Sequence, residues 1–584
     1  MKLTRKLMIT ASSAVIFLFL TASCSWSNRP IALAPVADDQ FPSDKISQGK
    51  RFVVSTQGQY SSIAALQMFE RGGNAVDAFV AASLSLAVER PQSTGLGGGG
   101  FLLYQAANMS RPISVDFRET APLEAHSKMY LDKNGDVIEG KSINGIHAVA
   151  VPGVVAGLLE FHEKYGKLPR AVVMWPAIEL AETGFIIYPE LEKAMKYRQK
   201  ELIKDKAARK IFLNLDGSPL KSGQRLIQVD LGKTLRKIAA GGKDAFYKGE
   251  IAAAIVKTSK AHGGIISAKD LASYTPKYRP PVAGHYRDYD IYSMAPPSSG
   301  GVHAIEILNI VEDLNLRKYG PGHPLSIHYT AEAMKQAFAD RSEYMGDPDF
   351  EKVPVAFLLS KVYAATVRSM ITPDRARTKE EVKPGDIPEM YESDETTHLS
   401  IADNEGNVIT STQTINGLFG SAVVAEGTGI VLNNEMDDFA TKVGASNLFG
   451  AVGGSKNLVA PKKRPLSSMS PTIVTYQQKP IYALGTPSGT RILTCVAQTL
   501  LNLLEYDMDL YPSVAAVRYH HQWSPDVLRI GPPGLPADVL ESLKVKGHKI
   551  DMRPLGCKVQ AVALKEDGLH GVSDPRGEGL TLAR

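Results

Sequence analysis

The segment between residues 396 and 415 places a β-hairpin in the last third of the chain, and this feature limits the possible folds most. Leu399 and Ile401 alternate with smaller or polar residues, residues 404–407 (Asn-Glu-Gly-Asn) form a turn, and a second alternating stretch follows. A period of two predicts paired strands with distinct faces. The C-terminal third must therefore contribute a β-sheet.

The residues before this hairpin follow a helical pattern. Apolar residues recur at helical spacing over residues 61–89, with a break at Gly72-Gly73-Asn74, and Val151-Pro152-Gly153 opens another helical stretch. Further strands are expected near residues 101–104, 429–432, 473–476 and 481–484, and a further helix near residues 490–506. The chain is therefore predicted to form a mixed fold with strands and helices in layers.

A glycine-rich run, Gly97-Gly98-Gly99-Gly100, lies between a helical stretch and the strand near residue 101. A phosphate-binding loop would end in Gly-Lys-Ser/Thr and precede a helix, whereas this run lacks that ending and precedes a strand. We interpret the run as a place where backbone segments pack closely together.

The first residues have the pattern of an export signal. Three basic residues precede a short apolar run that ends in Thr21-Ala22-Ser23-Cys24, so a signal peptide is predicted over residues 1–23. The residues before Cys24 resemble a lipobox, except that Thr21 stands where Leu, Val or Ile is usual. The exported protein is thus expected to be periplasmic, either anchored to a membrane as a lipoprotein through Cys24 or released.

Composition and cysteine spacing exclude several functional classes. Removal of the three basic residues of the signal lowers the formal net charge from +5 to +2, which gives no sign of a nucleic-acid partner. The cysteines left in the body, Cys495 and Cys557, have no metal-site spacing, so no metal or other cofactor is expected. We interpret them as buried free thiols, with a structural disulfide as the alternative.

An exposed linker is predicted at about residues 372–395, where prolines break helices and acidic residues favour solvation. The hydroxyl of Thr396, which follows it, is a weak nucleophile without a base. A cut between Glu395 and Thr396 would supply one, because a free α-amine has a pKa of about 7.7 to 8.0 and can accept the hydroxyl proton. On this stretch alone, an ordinary strand start remains the alternative.

Eight ordered motifs resemble those of the γ-glutamyltranspeptidase family. Four lie upstream: Gly97-Gly98-Gly99-Gly100, Asp116-Phe117-Arg118-Glu119, Pro297-Ser298-Ser299-Gly300-Gly301 and Ala339-Asp340-Arg341-Ser342-Glu343-Tyr344. Four lie downstream: Thr396-Thr397-His398-Leu399-Ser400, Asn433-Asn434-Glu435-Met436-Asp437-Asp438-Phe439, Pro465-Leu466-Ser467-Ser468-Met469-Ser470-Pro471 and Gly485-Thr486-Pro487-Ser488-Gly489-Thr490-Arg491. The resemblance spans roughly residues 50–576.

The resemblance implies a fold and a maturation reaction. Family members have the N-terminal-nucleophile hydrolase fold, an α+β sandwich of four layers in the order αββα, and cleave themselves. By this resemblance the Thr396 hydroxyl attacks the carbonyl of Glu395. The products would be a large subunit of residues 24–395, including the linker at about 372–395, and a small subunit of residues 396–584. The two subunits would stay associated as a heterodimer.

The resemblance also implies the activity of a γ-glutamyltranspeptidase and glutathione hydrolase. Thr396 would attack the γ-amide of glutathione or another γ-glutamyl compound, and water, an amino acid or a dipeptide would accept the acyl group. Thr414 would orient the nucleophile, and the backbone N–H groups of Ser488 and Gly489 would form the oxyanion hole. Two glycines are usual at this hole, so Ser488 would be strained if its φ had to be positive.

The match also implies how the donor is recognised. Arg118 corresponds to the residue that binds the donor α-carboxylate, a task that suits a planar guanidinium. Its hydroxyl partners would be Ser467 and Ser468. The groups implied for the α-ammonium are Asn416, Glu435 and Asp438.

Two segments depart from the family pattern. Phe449 lies in a segment, residues 442–450, that resembles a loop covering the site, and it stands where a tyrosine is usual. Its ring can shield the acyl-enzyme from water but cannot donate a hydrogen bond. The stretch Thr56-Gln57-Gly58-Gln59 replaces the small and acidic residues that are usual after the first strand, and the sequence offers no functional reason for it.

Two other functions remain as alternatives. An acylase of the same superfamily would cleave a glutaryl or cephalosporin side chain with the same nucleophile, but such donors lack the α-ammonium that the acidic set would bind. A catalytically dead binding lipoprotein on the same fold is disfavoured by the intact Thr396, Thr414 and Arg118.

Overall fold

The computed structural model describes residues 45–383, 396–445, 447–450 and 452–584. The predicted signal peptide, Cys24, Glu395 and the second half of the predicted linker (residues 384–395) lie outside these residues.

The strands, in chain order, are β1 (Ile46–Gly49), β2 (Phe52–Thr56), β3 (Gly99–Gln105), β4 (Ile113–Asp116), β5 (Phe185–Ile186), β6 (Arg225–Leu226), β7 (Lys277–Arg279), β8 (Val282–Tyr286), β9 (Tyr289–Ser293), β10 (Thr397–Asp403), β11 (Val408–Thr414), β12 (Val424–Ala425), β13 (Ile430–Val431), β14 (Thr472–Tyr476), β15 (Lys479–Gly485), β16 (Tyr519–His520), β17 (Leu528–Ile530), β18 (Ile550–Met552), β19 (Gln560–Lys565), β20 (Gly568–Ser573) and β21 (Leu580–Ala583).

The helices, in chain order, are α1 (Gln59–Glu70), α2 (Ala75–Glu89), α3 (Val154–Tyr165), α4 (Arg170–Thr183), α5 (Pro189–Tyr197), α6 (Gln199–Leu202), α7 (Lys206–Phe212), α8 (Val229–Tyr247), α9 (Glu250–Ala261), α10 (Ala268–Ala272), α11 (Gly300–Val311), α12 (Leu316–Tyr319), α13 (Pro324–Tyr344), α14 (Val355–Leu358), α15 (Lys361–Ser369), α16 (Arg491–Leu504), α17 (Leu510–Ala515) and α18 (Ala537–Val545). Short 3₁₀ helices are formed by Ile146–Ala148, Glu435–Asp438 and Ser455–Asn457.

Two seven-stranded antiparallel sheets form the centre of the fold. One has the strand order β1-β20-β19-β15-β14-β9-β8, and the other has the order β21-β2-β10-β11-β3-β4-β7. The sheets pack face to face, with β10 against β15 and β19 and with β11 against β15. Both sheets contain strands from before and after the predicted cut at Thr396, so neither predicted subunit contains a complete sheet.

Alternating side chains along the strands build the two helix-covered cores. Val53 and Leu103 face the other sheet, whereas Val54, Leu102 and Tyr104 face the helices. The helices α1, α2, α3 and α4 cover the sheet that contains β10, and α11, α13 and α16 cover the other sheet. These layers give the predicted αββα order, and the prediction of the fold is confirmed.

Local predictions from periodicity are also confirmed. The predicted break in residues 61–89 separates α1 from α2, because Gly72 has a positive φ of 79° and the Asn74 side chain caps α2 by accepting the N–H groups of Val76 and Asp77. The hairpin forms from β10 and β11. The glycine run packs tightly as expected, since a Cβ on Gly98 would lie 2.1 Å from the Thr414 carbonyl oxygen.

The interpretation of the two cysteines as free thiols is wrong. Cys495, on α16, and Cys557, just before β19, form a disulfide with their Cα atoms 6.6 Å apart. Both residues are buried, as expected. Their separation of 62 positions held no local signal that α16 would lie against the segment before β19.

Helices that are both long and apolar enough to cross a membrane are absent from the described part of the chain.

Candidate active site

Thr396 immediately precedes β10, and the next two residues are fixed by a buried glutamine. The Gln57 side-chain oxygen accepts hydrogen bonds from the Thr397 hydroxyl at 2.7 Å and from the His398 N–H at 2.8 Å. Strand β10 is itself held between β2 and β11. The pairing of β10 with both neighbouring strands therefore fixes the position of Thr396. Gln57 contributes to this, although the sequence suggested no function for it.

Thr414 ends the neighbouring strand β11. In the register of the hairpin, Thr397 pairs with Gln413, so the next pair along the ladder sets Thr396 opposite Thr414. The Thr414 hydroxyl accepts the N–H of Asn416 at 2.8 Å, and Asn416 has a positive φ of 72°. This turn ends the strand and brings Asn416 to the same end of the sheet.

A single pocket brings most of the predicted residues together. Its lining includes Arg118, Thr396, Thr414, Asn416, Glu435, Asp438, Phe449, Ser467, Ser468 and Gly489. It also includes Arg341, Asn447, Met469, Thr490 and Ile492, to which the sequence gave no role. Of the predicted residues described, Ser488 is the one outside this lining.

Arg118 is buried and makes ion pairs with two carboxylates. Its guanidinium donates to the side chains of Glu435 and Asp438, and it also donates to the carbonyl oxygens of Pro465 at 3.2 Å and Leu466 at 3.1 Å. The guanidinium and the carboxylates, predicted to bind opposite ends of the donor, therefore compensate each other's charge within the site.

Burial shapes the charge of this cluster. Burial alone would lower the pKa of Arg118, but the adjacent carboxylates outweigh it and raise that pKa. Burial raises the pKa of Glu119 to about 7 and raises those of Glu435 and Asp438, with Arg118 acting in the opposite direction on all three. The pocket thus holds acids that ionise most readily when another positive charge is near.

A second guanidinium, that of Arg341, lies behind the serines. It donates to the Ser299 hydroxyl at 2.9 Å and to the Ser468 hydroxyl at 3.4 Å, and burial lowers its pKa to about 10. The Ser467 hydroxyl accepts the Met469 N–H at 3.1 Å. Arg341 belongs to a motif quoted from the sequence, and this motif was the available signal for its place in the site.

The Ser488-Gly489 turn lies beside the pocket with both residues at positive φ, 115° and 51°. The expectation that serine would be strained if its φ had to be positive therefore applies here. The Ser488 hydroxyl donates to the Leu555 carbonyl oxygen at 2.6 Å and accepts from Arg491 Nε at 3.2 Å. These bonds hold the serine side chain against Leu555 and Arg491.

Phe449 covers the same turn. A Cβ on Gly489 would lie 2.3 Å from Phe449 Cδ1, so the ring rests directly against Gly489. The Phe449 N–H donates to the Asn447 side chain at 3.0 Å, and that side chain donates to Asp438 at 2.7 Å. The covering residue is therefore linked to the charged end of the pocket.

The chemistry available in this pocket is acyl transfer from a small charged amide. The residues that line it include threonines with hydroxyl groups, a glycine of the tight turn, and side chains of both charges. Groups of His, Cys, Asp or Glu arranged to hold a metal ion were not found in the described ranges.

Comparisons by sequence and by structure both find similar proteins. The model of the gamma-glutamyltranspeptidase family matches residues 61–583. The chain is 42% identical to a glutathione hydrolase proenzyme of Escherichia coli (strain K12) over 93% of this chain and 92% of that protein. It is similar in structure to a cephalosporin acylase from Bacillus halodurans, with a TM-score of 0.81 and 27% identity over 94% of this chain and 99% of that one.

A gamma-glutamyltranspeptidase of Helicobacter pylori is also similar. It has a TM-score of 0.55 and 43% identity over 56% of this chain and 94% of that chain.

Proposed function

The chain belongs to the γ-glutamyltranspeptidase family of enzymes, and from this membership we propose that it is a self-processing γ-glutamyltranspeptidase and glutathione hydrolase with Thr396 as its nucleophile. The observation that carries the proposal is the pocket in which Thr396, Arg118 and Asp438 meet, although they come from distant parts of the chain. The fold alone would not distinguish this activity from others on the same scaffold.

Maturation is proposed to begin with attack of the Thr396 hydroxyl oxygen on the Glu395 carbonyl carbon. The peptide C–N bond breaks as the ester forms, and water then hydrolyses the ester to leave a Glu395 carboxylate and a free Thr396 amine. The two subunits, residues 24–395 and 396–584, would remain a heterodimer. Pairing of β10 with β2 across the cut supports this, because separation would expose both sheets.

Turnover would use the new amine as the general base. The amine accepts the hydroxyl proton as the oxygen attacks the γ-carbonyl carbon, and it returns a proton to the leaving amine when the C–N bond breaks. The N–H groups of Ser488 and Gly489 would bind the oxyanion, and Thr414 would orient the nucleophile. Water or an amino acid or dipeptide then takes the γ-glutamyl group from the ester.

Donor binding can conserve the charge balance of the pocket. A γ-glutamyl donor carries an α-carboxylate for Arg118, Ser467 and Ser468. Its α-ammonium would replace the positive charge that Arg118 otherwise supplies to Glu435 and Asp438, with Asn416 beside them. A glutaryl donor would add a negative charge beside these carboxylates without the compensating ammonium, which is costly in a buried site. This argument favours γ-glutamyl donors over the acylase alternative.

A matched pair of substrates tests this proposal. The γ-glutamyl and glutaryl derivatives of 4-nitroaniline share a leaving group and differ in the α-ammonium. We expect kcat/KM to be at least about 100-fold higher for the γ-glutamyl compound, because a site built around a polar group rejects an analogue that lacks it. The opposite preference would support an acylase. An uncut protein that binds the donor and turns over neither compound would support a binding protein.

Phe449 is proposed to limit the access of water to the acyl-enzyme. We expect Phe449→Ala to raise the ratio of hydrolysis to transfer by about 3- to 10-fold, because the ring that rests on Gly489 is lost. Phe449→Tyr retains the ring and is the matched control. The ratio is measured with a γ-glutamyl anilide in the presence and absence of a dipeptide acceptor. An unchanged ratio in Phe449→Ala would remove this residue from the shielding role.

Export to the periplasm is part of the proposal. Its support is the sequence of residues 1–23, a basic start followed by an apolar run, and the lipobox-like residues before Cys24 provide for an anchored lipoprotein.

A further inference from the structure

Residues 555–558 are fastened at three points to the turn that holds Ser488 and Gly489 and to helix α16, which follows this turn. The Lys558 N–H donates to the Thr486 hydroxyl at 2.8 Å, and the Ser488 hydroxyl donates to the Leu555 carbonyl oxygen at 2.6 Å. The third link is covalent, the disulfide between Cys557 and Cys495. The segment and the turn therefore form one connected unit.

Ser488 has a conformation that ordinarily belongs to glycine. Its φ of 115° disfavours any residue with a Cβ, so the turn needs other contacts to retain this shape. The serine hydroxyl makes two such contacts, because it donates a hydrogen bond to the Leu555 carbonyl oxygen and accepts one from Arg491 Nε. The side chains of Ser488 and Arg491 are almost completely buried. The side chain that causes the strain also anchors the turn.

The disulfide fixes the distance between the turn and its anchor. Cys495 lies one helical turn after Arg491, the first residue of α16, and Cys557 Sγ is 3.8 Å from the Arg491 carbonyl oxygen. The start of α16 is in turn bonded to the turn, because the Arg491 N–H donates to the Ser488 carbonyl at 3.0 Å. Displacement of Leu555 would therefore pull on Ser488 directly.

We propose that the Cys495–Cys557 disulfide, acting through the Leu555 carbonyl and the Ser488 hydroxyl, holds the oxyanion-binding N–H groups in place with a serine where a glycine conformation is required. This inference rests on the proposed function, because it concerns the same oxyanion hole. Neither cysteine lines the pocket, and the Ser488 side chain points to Leu555, so the two cysteines and the Ser488 side chain act by positioning the Ser488 and Gly489 backbone.

A double-mutant cycle tests the proposal in the full protein. Cys495→Ala/Cys557→Ala is made in the natural chain and in Ser488→Gly, and kcat and KM for a γ-glutamyl anilide are measured per matured subunit. We expect loss of the disulfide to lower kcat by about 10-fold or more in the natural chain, with KM changed by less than about 3-fold. In Ser488→Gly, where the strain is absent, the same change should lower kcat by less than about 3-fold.

A third variant at position 488 separates the contribution of the serine hydroxyl from the backbone strain that any Cβ causes at this φ. Ser488→Ala keeps the Cβ and loses the anchor, so its kcat is expected to fall below those of both the natural chain and Ser488→Gly. Equal kcat for serine and alanine would overturn the role of the hydroxyl. Equal losses on removing the disulfide in the serine and glycine backgrounds would show that the disulfide acts on general stability and would overturn the proposal.

Failure to mature does not block the test. If Cys495→Ala/Cys557→Ala is not cleaved, the mature natural protein and mature Ser488→Gly are both treated with a phosphine reductant, thiol release is confirmed, and the same difference in kcat is expected. A natural protein that neither cleaves nor turns over donor would contradict the proposed function itself. An active protein with additive effects would contradict this inference alone.

Discussion

Thr396→Ala is expected to give a single uncut chain that does not transfer γ-glutamyl groups. The variant loses the oxygen that attacks the Glu395 carbonyl, so the amine that would act as the base is never released. Loss of a nucleophile typically lowers kcat by about 10⁴-fold or more, and here the loss of processing adds to it. Gel electrophoresis shows the uncut chain, and release of 4-nitroaniline from its γ-glutamyl derivative measures the activity.

Two neighbouring substitutions serve as controls for this result. Thr396→Ser retains a hydroxyl and, after the cut, an amine, so slower processing and residual turnover are expected. Thr397→Ala removes the bond to Gln57 but no group of the proposed chemistry, so the cut should remain. A Thr396→Ala protein that is cleaved at the same bond, or that turns over donor, would remove Thr396 from the role of nucleophile.

Arg118→Leu is expected to raise the donor KM by about 100-fold or more, because the charge-assisted, forked hydrogen bonds to the donor carboxylate are lost. The substitution also leaves Glu435 and Asp438 buried without their cation. The free energy of unfolding should therefore fall by about 3 to 5 kcal/mol, and the change is measured by denaturant titration alongside the kinetics. Cleavage before Thr396 is expected to continue, because Arg118 takes no part in that step.

Arg118→Lys separates recognition from stability. Lysine retains a positive charge near the two carboxylates but lacks the planar fork, so stability should be largely retained while KM still rises by about 10-fold or more. A KM within about 2-fold of that of the natural protein in both variants would contradict donor recognition by Arg118.

Local features of the fold could be predicted because their causes are local. Helical and alternating periods located α1, α2, β10 and β11, and glycine and asparagine marked the break between the two helices. The order of strands in the sheets could not be obtained in this way. For example, β1 pairs with β20 although more than 500 residues separate them, and such pairings depend on burial across the whole chain.

The candidate site was predicted from motifs, and the family to which they belong is confirmed. The individual roles of the site residues remain predictions. The sequence could not show that Arg118 pairs directly with Glu435 and Asp438, because charges in separate segments meet only after folding. The disulfide between Cys495 and Cys557 was only the alternative to free thiols for the same reason, since no local pattern brings the two segments together.

The most direct test of the account is to sequence the N-terminus of the smaller fragment of the purified protein, with the γ-glutamyl activity of the same sample measured in parallel. The account predicts that this fragment begins at Thr396 and that activity rises with the fraction of cut chain. A fragment that begins at another residue, or full activity from an uncut chain, would contradict it.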